Sequence, residues 1–286
     1  MEGQRSHQHH PASEADESAM AEMLDLDAEV LHSYLSEVTD WTRELAAGPS
    51  PRRILDLGSG TGTGAFALLG RFGQADVIAL DVSAQLLQHL MTKARALGVA
   101  DRVTAVQADL DGAWPAIDPV DLAWASSSLH HMADPDRVLS KVFAVLRPGG
   151  LLVVAEMGSF PRFLPDDLGI GLPGLEARSH AVLAEGLAGD VPHLGSDWGP
   201  PLSRAGFTIE AERPFAIDLA PPLPAAAGRY AQASLRRIRS SLDGRMSSGD
   251  LATLDTLIDS DGPDGVLQRD DLTVRAARTV WVARRL

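Results

Sequence analysis

The chain contains no cysteine. That absence removes disulfide scaffolds, thiolate nucleophiles and thiolate zinc sites together. Lysine is scarce as well, since only Lys93 and Lys141 occur among 25 basic residues; the bias fits a GC-rich bacterial genome and carries no functional weight. No apolar run approaches the roughly 20 residues of a membrane span. The N-terminal stretch also has no apolar signal core, so a cytoplasmic setting without membrane association is expected. Positive charge is short overall: the net charge of −14 argues against a general nucleic-acid or anionic-membrane surface. The local basic cluster Arg236, Arg237, Arg239 and Arg245 is read as a solvated helix face.

With 286 residues, the chain is long enough to bury a full α/β core and still carry insertions. Its most informative stretch is ILDLGSGTGTG, Ile54 to Gly64. A short apolar strand is interrupted near its end by Asp56, and Gly58, Gly60, Gly62 and Gly64 follow at every second position. Glycines at that spacing suit a tight turn whose N–H groups face a ligand. The helix expected from Thr63 directs its positive end at the same place. Two registers of a dinucleotide fingerprint are available. The first, from Gly58, fails at Thr63, whereas Gly60, Gly62 and Ala65 formally satisfy GxGxxA. A nicotinamide enzyme therefore stays open from these residues alone, although that register leaves Asp56 and Gly58 unexplained.

Asp56-x-Gly58-x-Gly60-x-Gly62 resembles the first motif of the class I, Rossmann-like S-adenosylmethionine-dependent methyltransferases. SSSLHHMADPDRV, which holds His130 and His131, is similar to a stretch of the ubiquinone- and menaquinone-biosynthesis-like small-molecule members. The turn Arg147-Pro148-Gly149-Gly150 matches the family's step into its fifth strand. The resemblance implies an α/β fold, a three-layer αβα sandwich. Its seven-stranded sheet would have the order 3-2-1-4-5-7-6, with strand 7 antiparallel and helical lid insertions.

Periodicity places strands at 53–57, 76–81, 103–107, 120–125 and 151–156, with helices at 63–72, 84–97 and 134–146. A sixth strand is predicted over 207–213 and a last one over 273–284. Lid helices are expected at 175–187, 225–242 and 249–258. Residues 1–20, with His7, His9 and His10, read as a flexible tail, and residues 21–50 as a helical cap whose main helix covers 29–46. The methyltransferase-like domain would then span 51–286, with lid insertions at 158–200 and 214–271.

On the family's pattern the cofactor, S-adenosylmethionine with S-adenosylhomocysteine as product, is held by Asp56, Gly58, Ser59, Gly60, Thr61, Gly62, Asp81, Val82, Asp109, Leu110, Ala125 and Ser126. Asp81 stands about 20 residues beyond the central glycine, where a carboxylate accepts from both ribose hydroxyls. Asp109 would accept from the adenine amine, with a helix cap before 110–114 as its structural alternative. His130, His131 and Glu156 are the candidate bases, because a histidine has a suitable unperturbed pKa and Glu156 ends the fifth strand. Ser126-Ser127-Ser128 stands where a metal-dependent relative would carry carboxylates, so no metal is expected. The implied partner is a small-molecule methyl acceptor with an O, N or C nucleophile, and not a nucleic acid. A homodimer is compatible. The alternatives are a nicotinamide oxidoreductase and a non-catalytic S-adenosylmethionine-binding protein.

Overall fold

Five short apolar stretches pair as parallel strands in the computed structural model, which describes residues 14–46, 48–187 and 191–286. They are β1 (Arg53–Leu57), β2 (Asp76–Asp81), β3 (Val103–Gln107), β4 (Val120–Ser126) and β5 (Leu146–Met157). Two further strands, β6 (Thr208–Leu219) and β7 (Val274–Arg284), complete a seven-stranded sheet of order β3-β2-β1-β4-β5-β7-β6. β7 runs antiparallel to both of its neighbours. Sheet order and strand directions agree with the sequence-based expectation.

Near-continuous apolar strands are buried on both faces, as a parallel sheet requires. One face packs Ile54, Leu122, Trp124, Val153 and Val282 beneath α3 (Thr63–Arg71) and α4 (Ala84–Ala96). The other packs Leu55, Leu57, Ala123, Leu152 and Trp281 beneath α5 (Pro135–Val145) and α7 (Gly199–Arg204). Local capping sets where these helices start: the Ser83 hydroxyl accepts from Leu86 N–H at 3.1 Å and the Asp134 carboxylate from Arg137 N–H at 3.0 Å. Each such cap contributes about 1 kcal/mol.

A third apolar cluster lies outside this sandwich. It joins α1 (Glu14–Val30), α6 (Leu175–Leu187), α8 (Ala227–Ser240) and α9 (Ser248–Asp259) through Leu26, Val30, Leu183, Tyr230, Leu235 and Leu257. The added segments thus have a core of their own.

Several boundaries differ from the sequence reading. Residues 14 to 20, read as tail, belong to α1, while residues 1–13 with their three histidines lie outside the described residues. The helix predicted over 29–46 is broken at Leu31, so that α2 covers His32–Leu45. Acids dominate α1 and mask its pattern; Ala21, Leu26 and Val30 are nonetheless buried. β6 continues six residues past Arg213, through Pro214. An edge strand tolerates proline because one row of its backbone groups is unpaired anyway. The second lid insertion therefore begins beyond Leu219 rather than at 214. Arg147–Gly150 forms an irregularity inside β5, where the pairing with β4 slips between Val120 and Leu122. No helix follows Asp109; Gly112 N–H closes a turn on the Asp109 carbonyl at 3.0 Å.

Candidate functional site

The glycine turn joins β1 to α3, with Gly58, Gly60 and Gly62 all at positive φ. At Gly58 (φ 66°) the requirement is twofold, because a β-carbon there would also stand 2.6 Å from Ser128 Cβ. Gly58→Ala is expected to lower stability by about 2–4 kcal/mol, from left-handed strain plus overpacking. Urea unfolding checks this; a loss below measurement error would mean that the turn yields freely.

Backbone and acid lock the turn in place. Ser59 N–H donates to the Leu80 carbonyl at 2.9 Å, and Gly60 N–H donates to Asp81 Oδ2 at 2.8 Å. Asp81 Oδ1 accepts from Ser83 N–H at 2.9 Å. Each Asp81 oxygen keeps a second lone pair. Burial raises its carboxyl pKa, while the N–H groups of Ser83, Gly60 and Val82 oppose that shift.

Asp56 is 2% exposed, and its Oδ2 has no hydrogen-bond partner within the protein. Burial pushes this carboxyl up to about 7, with the nearby Asp81 charge adding to the effect and the Ala65 N–H opposing it. The Ser59 hydroxyl is likewise buried without a partner. A buried carboxylate oxygen and a hydroxyl left unpaired beside one turn are costly unless a polar ligand meets them. Just beyond β2, Val82 is 66% exposed, and Leu110, beyond β3, is buried. Asp109 is exposed there and accepts from Asp111 N–H at 2.9 Å.

A cavity of about 390 Å³ opens at the carboxyl ends of β4 and β5. Met20, Met23 and Leu24 of α1, Met157, Phe160, Leu183 and Ile238 give it apolar walls. Asp27, Ser127, His130, His131, Tyr230, Arg237 and Arg278 give it polar ones. Leu24 touches both halves of the site, since its Cδ1 lies 3.0 Å from where a Gly60 β-carbon would stand. α1 is tied down over the glycine turn by Glu17, which accepts from the Ser83 hydroxyl at 3.0 Å, and by Asp25, which pairs with Lys93 at 2.7 Å.

The three candidate bases are brought together. Glu156 is buried on β5; its Oε1 accepts from Ser128 N–H at 3.0 Å and Leu129 N–H at 2.7 Å, and its Oε2 lies 2.6 Å from His130 Nδ1. Because a carboxylate only accepts, Nδ1 carries the proton and Nε2 is the remaining position on the ring. The His131 ring packs 4.2 Å from that of His130. Its surroundings, together with His130 and the Arg237 charge, push the His131 imidazole down to about 4. Glu156 thus stands behind His130 rather than among the cavity-lining groups.

Sequence reasoning missed a second polar cluster. β7 enters the sheet from its carboxyl end, which sets Arg278 opposite Met157. Arg278 donates to Asp27 Oδ1 and to the Ser127 hydroxyl, both at 2.7 Å, and the Tyr230 hydroxyl donates to the same Asp27 oxygen at 2.5 Å. Ser127 holds a positive φ of 52°, a conformation that costs a non-glycine residue about 1–3 kcal/mol. Only the run of three serines hinted at this. Tyr34 and Trp41 take core positions: the Tyr34 ring stands edge-on to Phe215 at 5.2 Å, and Trp41 packs beside the α3–α4 core. Among the described residues no group of three or more His, Asp or Glu is arranged to hold a metal ion, and no helix is long and apolar enough to cross a membrane.

Residues 54–150 match a family described as "Methyltransferase domain". The chain is 33% identical over 166 residues to a malonyl-[acyl-carrier protein] O-methyltransferase of Laribacter hongkongensis, covering 55% of this chain and 51% of that one. It is 40% identical over 115 residues to the tRNA 5-carboxymethoxyuridine methyltransferase of Escherichia coli, covering 40% and 43%. The chain therefore spans about half the length of the curated relatives it matches, or less. Among solved structures, the YcgJ protein of Bacillus subtilis superposes with a TM-score of 0.53 at 15% identity, over 86% of this chain and 97% of that one.

Proposed function

We propose that this chain, which belongs to the class I, Rossmann-like S-adenosylmethionine-dependent methyltransferases, transfers a methyl group from S-adenosylmethionine to an O, N or C nucleophile of a small molecule. S-adenosylhomocysteine is the co-product. The observation that carries this reading is the buried Asp56 oxygen without a partner, beside a glycine turn fixed by Asp81. It fits an ammonium group, and a nicotinamide dinucleotide has none to offer there.

The sulfonium supplies an already activated methyl group, so the protein's task is alignment and water exclusion. Asp56 would hold the ammonium, and the backbone of Gly58 to Gly62, with Ser59 and Thr61, would hold the methionine and ribose. The free lone pairs of Asp81 would accept from the ribose hydroxyls. Val82 and Leu110 would hold the adenine, with Asp109 as acceptor for its amine, and Ala125 and Ser126, at the end of β4, would serve the sulfonium. In the acceptor cavity Glu156 orients His130, whose Nε2 removes the proton of the attacking group. His131, uncharged at neutral pH by virtue of its lowered pKa, packs beside it.

One relative carries tRNA in its name, so the sequence-based exclusion of nucleic acid rests on two features of this chain. They are the net charge of −14 and the 390 Å³ cavity, which support a small acceptor. A bacterial cytoplasmic setting belongs to the same reading and is supported by the bacterial origin of the relatives.

Calorimetric titration with S-adenosylmethionine across pH tests the reading. Below about 7 Asp56 is largely protonated, and an ammonium prefers the carboxylate. Affinity is thus expected to rise about fivefold between pH 6 and about pH 7.5, above which the ligand's own α-amine is losing its proton. Asp56→Asn should flatten that rise. Absence of binding at every pH, or binding of NADH in its place, would overturn the proposal.

A further inference from the structure

α8 carries four arginines, and the structure separates one of them from the rest. Arg229 lies 3.9 Å from Glu29, Arg236 lies 3.9 Å from Asp259, and Arg239 pairs with Asp243 and Asp255. Arg237 has no ion-pair partner among the described residues; its recorded contact is to Met20 Sδ at 3.4 Å. The basic cluster read from sequence as one solvated face is therefore divided, because Arg237 turns onto the cavity wall while remaining accessible.

In a chain with 39 acidic residues, an arginine without an acid against an apolar cavity calls for explanation. The other charges there are already matched. Asp27 is taken by Arg278 and Tyr230, and Glu156 by His130. Partial desolvation lowers the Arg237 pKa although the side chain stays accessible, and no carboxylate of the described residues pairs with it. One turn earlier on the same helix face Ser234 lines the cavity, 6% exposed, with its hydroxyl lacking any partner. Ser241, one turn later, lines it as well. Ser234, Arg237 and Ser241 thus present one cation and two hydroxyls along a single stripe. Met20, which touches Arg237, and Met23, Phe160 and Leu183 line the same cavity.

We propose that the acceptor is an amphipathic carboxylic acid, its carboxylate held by Arg237 and the Ser234 hydroxyl and its apolar body lying against the methionine-rich wall. Guanidinium matches a carboxylate through two parallel N–H donors, and serine adds a third. The methionines adapt to an irregular apolar body. What the ligand is for rests on the methyl-transfer reading above, but the recognition is tested separately from it.

The probes are phenylbutyrate and its uncharged amide, phenylbutyramide, each titrated into the full chain and followed by ligand-observed magnetic resonance. The carboxylate is expected to bind about tenfold more tightly than the amide, the low end for a charge-assisted pair. Arg237→Gln should bring the carboxylate down to the amide's affinity and leave the amide unchanged, whereas Arg237→Lys retains part of the preference. Equal binding of the two probes, no carboxylate binding at millimolar concentration, or a preference that survives Arg237→Gln would overturn the proposal. S-adenosylmethionine is titrated alongside. Failure of that binding alone overturns the methyl-transfer reading and leaves the carboxylate result standing.

Discussion

Asp81→Ala is expected to abolish S-adenosylmethionine binding in calorimetry, weakening it by at least about a hundredfold. The side chain fills two offices at once. It accepts Gly60 N–H at 2.8 Å and Ser83 N–H at 2.9 Å, which hold the glycine turn against the start of α4. Its remaining lone pairs are the acceptors assigned to the ribose hydroxyls. Two hydrogen bonds to a charged acceptor contribute about 1.5–3 kcal/mol each, so the ligand bonds alone account for a hundredfold or more. Asp81→Asn disturbs both offices. Its amide oxygen still accepts one backbone N–H, but its amide nitrogen sets a donor against the other N–H and offers the ligand a donor in place of an acceptor. Asn is therefore expected to lose most of the affinity together with part of the melting temperature. Unchanged affinity in both variants would remove Asp81, and with it the cofactor assignment of the whole groove.

The second large effect is expected at the His130–Glu156 pair. Glu156→Gln preserves shape, and the amide oxygen can accept from Ser128 and Leu129 as before. Its amide nitrogen then faces His130 Nδ1 and donates to it, which moves the ring proton to Nε2 and removes the lone pair the reaction needs. Turnover is expected to fall by roughly 100- to 10,000-fold, the range for general base catalysis. The tautomer change can be read without any acceptor, from the imidazole nitrogen chemical shifts. His130→Ala removes one of the three hydrogen bonds that the buried Glu156 accepts, which costs about 1.5–3 kcal/mol in stability, so its melting curve must accompany its kinetics. Full turnover in the Gln variant despite a reversed tautomer would reduce His130 to a packing residue.

How much of this was legible beforehand depends on the distance over which each feature is encoded. Asp56, the glycines and Asp81 could be read because a strand, a turn and a helix start lie together in sequence, and each leaves a local signature. The strands were placed for the same reason, and the sheet order followed from the family resemblance those signatures supported. Helix α1 was missed because its buried side chains are spaced among acids, and its pairing with α8 is what buries them. The extension of β6 through Pro214 went unread because proline normally ends a strand, and edge position is a tertiary property. Arg278 looked like any charged residue in a strand, since nothing nearby in the chain announces Asp27 or Ser127. Arg237 was obscured by its neighbours, whose acids come from α1, from α9 and from Asp243 between α8 and α9.

The same distances set what each closure costs the chain. The bond that fixes the glycine turn, Gly60 to Asp81, closes over 21 positions. Arg278 closes over 151 positions to Ser127 and over 251 to Asp27. Loop-closure entropy grows with the logarithm of length, and the longer closures cost about 2 kcal/mol more than the short one. The glycine turn is therefore the cheaper closure, held by contacts close in sequence, whereas the cavity wall at Arg278 depends on contacts drawn from opposite ends of the chain.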